Sequence, residues 1–214
     1  MTNFEFLKKD EKFSSFADIA ITAEKLYGID TASCVFNVRK AAEFAVKWMY
    51  SVDGSLVMPY QDNFGTLINT VEFKDIVGND IFRRVDFIRI IGNTSAHSTR
   101  NIKPEQAELA LENLFYFLDF VAYCYADEYE EISFNAELLK AEPTPVAPIP
   151  EITVDIEKLI EENKALKAQL TSKREEQQPN YVPKPLDISE FKTRKVYIDT
   201  MLIDAGWIEG KDWY

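Results

Sequence analysis

One histidine, two cysteines and seven glycines are all that this 214-residue chain contains of those types, and each shortage excludes something. A single histidine cannot build an ordinary zinc site, and no Cys/His group here has metal-ligand spacing, so no metal site is expected. Cys34 and Cys124 both lie in apolar helical sequence and read as buried thiols, not as a disulfide framework. No G-x-x-x-x-G-K-[ST] stretch occurs, so no ATP site can be assigned. Basic charge is also scarce. There are 24 Lys and Arg against 36 Asp and Glu, for a net charge of −12; residues 1–100 carry −1 of it and 101–214 the remaining −11. A phosphate-binding surface needs clustered cations, because counterion release supplies most non-specific affinity. The one local cluster, Arg83, Arg84, Arg89 and Arg100, reads as a mixed, solvated helix face. The most apolar run, "LFYFLDFVAYCYA" (114–126), is too short for a bilayer and carries Asp119. The N-terminus, "MTNFEFLKKDEKF", lacks the order of a signal peptide. A cytoplasmic location is expected.

What is abundant is helical periodicity. Phe16, Ile19, Ala20, Ala23 and Leu26 recur at helical spacing after serines that can cap, and Gly28 follows. From Asp30, the residues Cys34, Val35, Val38, Ala41, Ala42, Ala45 and Met49 form one stripe. After a loop comes a short helix around Leu67–Val71. Ile81, Phe82, Val85, Ile88 and Ile91 then form another stripe. Pro104 suits the first turn of a last helix that is apolar on nearly every face after Leu114 and should run through the middle of the bundle. No strand pattern competes. Residues 1–135 are expected to form a helical bundle, and the fold class is all-α.

Pro143, Pro145, Pro148 and Pro150 mark 136–151 as an extended spacer. Over 152–178, Ile152, Ile156, Leu159, Asn163, Leu166 and Leu170 alternate at spacings of four and three, the seam of a short coiled coil through which the chain could self-associate. The alternative is one amphipathic helix lying on its own domain. Residues 179–214 read as a linker and one further helix, with Val196, Ile198, Leu202 and Ile203 apolar and Gly206 ending it.

The lone histidine, His97, stands in "RIIGNTSAHSTR" (89–100). Arg89, Asn93 and His97 are one turn apart on a continuing helix. Gly92 costs about 1 kcal/mol of helix propensity, which points to close helix packing there. The favoured reading is that Asn93 and His97 pack and cap beneath the bundle. The acidic run "DEYEE" (127–131) reads as a solvated helix end, and Asp199, Asp204 and Glu209 as surface carboxylates. No catalytic residue is assigned.

"NFEFL" (3–7), "IRIIGNTSAH" (88–97) and "TRKVYIDTMLIDAGW" (193–207) occur in the order found in R subunits of type I restriction enzymes, and the chain resembles the N-terminal region of such a subunit. The resemblance implies a helical domain of the Gly-Asn-x-x-Ala-His family, with 179–214 as the linker and truncated start of an endonuclease domain. It further implies methylation and specificity subunits as partners, DNA contact through the full-length protein, and ATP and Mg²⁺ as cofactors of that full-length protein alone. The helical domain also resembles the HEPN class, whose active members are ribonucleases with an arginine and a histidine that have four to six residues between them. Here Gly92 stands where the arginine of the commonest form, Arg-Asn-x-x-x-His, would be. On this resemblance the chain is expected to be a non-catalytic assembly region, the alternative being a HEPN-type ribonuclease or toxin using His97.

Overall fold

The computed structural model describes residues 2–97, 102–140, 157–185 and 193–207, with the backbone alone at 94–97, 140, 157–165, 193–195, 199, 203 and 204. The fold is all-helical, and among the described residues there is no strand. Two 3₁₀ turns, Glu5–Lys9 and Glu11–Phe13, lead into α1 (Ser14–Leu26) and α2 (Thr31–Val52). Asp30 caps α2 by accepting from the Ala32 amide at 3.0 Å, which satisfies one of the amides a helix start leaves free. The stripe expected on α2 is buried throughout.

The short helix α3 covers Phe64–Asn69, earlier than the spacing alone indicates. Asn63 sets its start by accepting from the Thr66 amide at 3.0 Å, and Thr70 leaves the helical region. Then α4 (Val71–His97) begins ten residues before Ile81, the first residue of the expected stripe, because it is two helices joined at Gly78. Gly78 has φ 70° and ψ 169°, a conformation that only glycine adopts readily. Last in the bundle, α5 (Pro104–Tyr125) starts on Pro104, with the Gln106 side chain accepting from the Lys103 amide at 2.9 Å. From Leu109 to Tyr125 only Tyr123 escapes full burial. It is the central helix, as its all-round apolar sequence requires. An aromatic chain of Phe13, Phe16, Trp48 and Tyr125, with ring centroids 5.3–5.9 Å apart, ties α1, α2 and α5 together.

Two polar devices close the bundle. At the N-terminus, Asn3 donates from its backbone amide to both oxygens of buried Glu24 on α1, at 2.8 and 3.1 Å. Its side-chain amide donates to Glu24 and to the Asn135 carbonyl, and its Oδ1 accepts from the Asn135 amide at 2.8 Å. At the opposite end of α2 lies Asp53, 0% exposed. Arg174 grips it from α6 (Glu157–Gln177), with Nε donating to Oδ2 at 2.8 Å and Nη2 to Oδ1 at 3.2 Å. The Tyr125 hydroxyl and the Ser55 amide also donate to it, at 2.8 and 2.9 Å. Burial alone would raise this carboxyl, but its donors outweigh burial and hold it below the usual range.

Around this node α6 lies across the C-terminal ends of α2 and α5. Lys167 donates to the Tyr50 carbonyl at 3.4 Å, Lys173 to the Ala126 carbonyl, and the Gly54 amide donates to Thr171 Oγ1 at 2.7 Å. Cations placed on helix C-terminal carbonyls satisfy orphan acceptors and complement the helix dipole. Leu170 is buried beside them.

The C-terminal segment covers the α4–α5 face. The Tyr181 hydroxyl donates to Asp119 at 3.1 Å, beside Tyr129 at 3.0 Å, and Arg84 donates to the Lys184 carbonyl while lying 4.7 Å over the Tyr116 ring. A π-helical turn at Thr193–Ile198 leads into α7 (Asp199–Asp204). There Tyr197 stacks on Phe87 at 4.4 Å and donates to buried Asn113 at 2.6 Å. Gly206, at φ 86°, ends α7, and the Trp207 amide closes back on the Leu202 carbonyl at 3.0 Å.

Removing one partner of the node strands a buried charge. Arg174→Ala is expected to cost about 3–5 kcal/mol in urea unfolding, whereas Arg174→Met with Asp53→Asn should cost less than Arg174→Ala alone; a double variant as unstable as that single change would refute the charge-pair account.

The Glu24 clasp generates a pH dependence. Burial, opposed by the Asn3 donors, pushes this carboxyl from 4.5 up to about 7. A raised folded pKa gives stability that is complete below the unfolded value and is lost as pH rises through the folded one. Stability should therefore fall between pH 4.5 and 7, by at most about 3 kcal/mol. Glu24→Gln should flatten that part of the profile in chemical denaturation at pH 5 and 7.5, and an unaltered slope would exclude Glu24 as its source.

Candidate functional site

The far end of α4 carries the motif that the sequence singles out. Arg89 is half-buried and pairs with Asp86 one turn earlier, Nε to Oδ1 at 2.8 Å. Its stem runs along the first turn of α3, since a Cβ added at Gly65 would stand 3.6 Å from Arg89 Cδ. Gly92 is buried and faces α2. A Cβ there would lie 2.3 Å from Cδ, 2.6 Å from Cβ and 2.8 Å from Cγ of Arg39, so only glycine lets α4 pass Arg39 at this distance. Asn93 is half-buried. The backbone of His97 ends α4, and its side chain lies outside the described residues.

Arg39 is the residue that sequence reasoning missed. It lies in the groove that Gly92 opens, its guanidinium 5.7 Å over the Phe64 ring and 3.8 Å from Glu43, with Nε buried and without a hydrogen-bond partner. Arg39 and Arg89 thus border the Phe64–Gly65 turn from two helices. A glycine inside the regular second half of α4 was the available signal, but it does not say which residue of which helix fills the space.

The other candidates separate. Of the arginine cluster, Arg83 is exposed, Arg84 is buried against Tyr116, and Arg100 lies outside the described residues. The run 127–131 is not helical and acts as a belt: Asp127 holds Lys12 at 2.8 Å, Tyr129 holds Asp119, and Glu131 holds Lys184 at 3.4 Å. Among the described residues no group of three His, Cys, Asp or Glu side chains comes together to hold a metal. Glu209 and the side chains of Asp199 and Asp204 lie outside them. Cys34 and Cys124 are buried free thiols; burial pushes Cys34 up to about 12 and Cys124 higher still, which removes nucleophilic thiolate at neutral pH.

Of the coiled-coil seam, Leu170 packs on the bundle and Leu166 is 48% exposed. Leu159 and Asn163 belong to α6, but their side chains lie outside the described residues, as do Ile152 and Ile156 entirely. The described half of α6 docks through Lys167, Thr171, Lys173 and Arg174 instead.

What this geometry defines is an all-helical domain with a tight α2–α4 crossing and no assembled catalytic constellation among the described residues. The chain belongs to the family described as a domain of unknown function, DUF4145, whose model matches residues 22–141. No curated protein and no solved structure matches it. Among the described residues, no helix is long and apolar enough to cross a membrane.

The crossing makes a sign prediction. In an open helix Gly→Ala stabilises by up to about 1 kcal/mol. Gly92→Ala should instead destabilise, by about 1–3 kcal/mol, because Arg39 Cβ cannot move aside without its helix. A raised melting temperature in this variant would show the crossing to be loose.

Proposed function

We propose that this chain is the N-terminal, non-catalytic assembly region of the R subunit of a cytoplasmic type I restriction-modification enzyme. Its partners would be the methylation and specificity subunits, and ATP, Mg²⁺ and DNA would be engaged by the full-length protein. The observation that carries the reading is the use to which the three quoted motifs are put. In "NFEFL", Asn3 clasps Glu24 while Phe4 and Leu7 are fully buried. In "IRIIGNTSAH", Ile88 and Ile91 enter the core and Gly92 sets the α2–α4 crossing. In "TRKVYIDTMLIDAGW", Val196 and Tyr197 seat the segment on α4 and α5. All three serve packing, which fits a scaffold that presents whatever is joined to it in a set orientation.

One observation favours a second reading, a HEPN-type ribonuclease using His97. Arg39 and Arg89 border one turn, and Arg39 fills the space beside Gly92, where the motif lacks its arginine. Arginine is the side chain best suited to holding a phosphate through paired hydrogen bonds.

The test is co-purification of tagged 1–214 with the methylation and specificity subunits of a type I restriction enzyme from the same source, together with assays of the chain alone. Stable co-elution is expected, with no ATP hydrolysis and no Mg²⁺-dependent DNA cleavage. Failure to bind, or turnover that vanishes on mutating the chain, would sink the assembly reading. Cleavage of single-stranded RNA that both His97→Ala and Arg39→Ala abolish, without shifting the melting curve, would establish the second.

A further inference from the structure

The outer face of α2 presents a stripe that lies outside the core, with Lys47 reaching Asp62 of the following loop at 3.9 Å. Ser33, Phe36, Lys40, Phe44, Lys47 and Ser51 fall within about 80° of one another around the helix and span about 27 Å along it. Phe36 is 48% exposed and Phe44 42%, and two phenylalanines left in water on one regular helix form an apolar face without a partner among the described residues.

The order of the stripe identifies that partner. Read from the other end, Ser-Phe-Lys-Phe-Lys-Ser becomes Ser-Lys-Phe-Lys-Phe-Ser. Two copies of α2 laid antiparallel about a dyad at the level of Ala42 would therefore set Ser33 against Ser51 and Lys40 against Phe44, and would bring Phe36 within one residue, about 1.5 Å along the axis, of Lys47. Every phenylalanine meets a lysine. The chain already forms this contact within itself: Lys40 Nζ stands 5.9 Å over the Phe44 ring, and a cation over an aromatic face is attracted by the ring quadrupole. Charge agrees as well. Glu43, held by Lys47 at 3.1 Å and Arg39 at 3.8 Å, would lie beside the other copy's Lys40, which has no acidic partner of its own among the described residues. This matches an isologous interface, in which one patch must be complementary to itself.

We propose that two copies of this chain pair through the exposed face of α2, antiparallel about a two-fold axis at Ala42, with Phe36 and Phe44 packed under lysines of the opposite copy. The pairing is independent of the restriction-subunit reading, and it places self-association on α2 and not on the seam of α6.

Sedimentation of the full chain over a concentration series tests it. Wild type should show a concentration-dependent dimer. Phe44→Lys sets lysine against lysine and should weaken the dimer at least about tenfold. Lys40→Phe added to Phe44→Lys again sets a phenylalanine opposite a lysine and should restore the dimer, an outcome that misfolding cannot produce. Leu166→Glu on α6 should leave the mass unchanged. A wild type that is monomeric throughout, a Phe44→Lys dimer of undiminished strength, a swap that does not rescue, or a dimer dissolved by Leu166→Glu would each overturn the proposal.

Discussion

A carboxylate with no access to water decides how this fold is put together. Asp53 ends α2 at a point where the adjoining residues offer it a serine amide, and the tyrosine from α5 adds one hydroxyl. An ionised group so placed requires a cation. That cation, Arg174, comes from 121 residues further along the chain. Once Arg174 is seated, α6 has a fixed position across the ends of α2 and α5, and Lys167 and Lys173 reach the carbonyls that those helices leave open. The apolar contribution of α6 at this contact is small, with Leu170 its one buried aliphatic among the described side chains.

The α4–α5 face repeats that logic with weaker groups. Asp119 and Asn113 are both 0% exposed on α5. Asp119 is pushed upward by burial, which outweighs its hydroxyl donors Tyr129 and Tyr181, and Asn113 accepts from Tyr197. Tyrosine suits this work because its ring joins the aromatic packing while its hydroxyl reaches the buried acceptor. The cover over the groove is thus specified by matched polar groups set in an aromatic surround, not by bulk hydrophobicity.

This difference explains what was legible in the sequence. The α1 and α2 stripes and the buried α5 were readable because burial imposes a period of 3.6 on apolar residues. The boundaries near α3 were not, because Asn63 and Gly78 decide them by capping and by a conformation that pattern counting does not register. The attachment of α6 was hidden for a different reason: Lys167, Thr171, Lys173 and Arg174 look like the solvated face of a charged helix. Asn3 and Asn135, 132 residues apart, leave no local trace of their pairing. At the motif of α4, Gly92 announced a close approach, while Arg39 as its neighbour depended on how α2 and α4 cross.

The family match spans 22–141, yet the partners of Glu24, Asp53, Asn113 and Asp119 include Asn3 on one side of that span and Arg174, Tyr197 and Tyr181 on the other. The unit defined by ancestry is therefore smaller than the unit that satisfies its own buried polar atoms. A relative that keeps these four residues needs its own source of the same donors, from flanking sequence or from another molecule. In this chain the flanks supply them, so buried polar contacts join the shared domain to its surroundings on both sides.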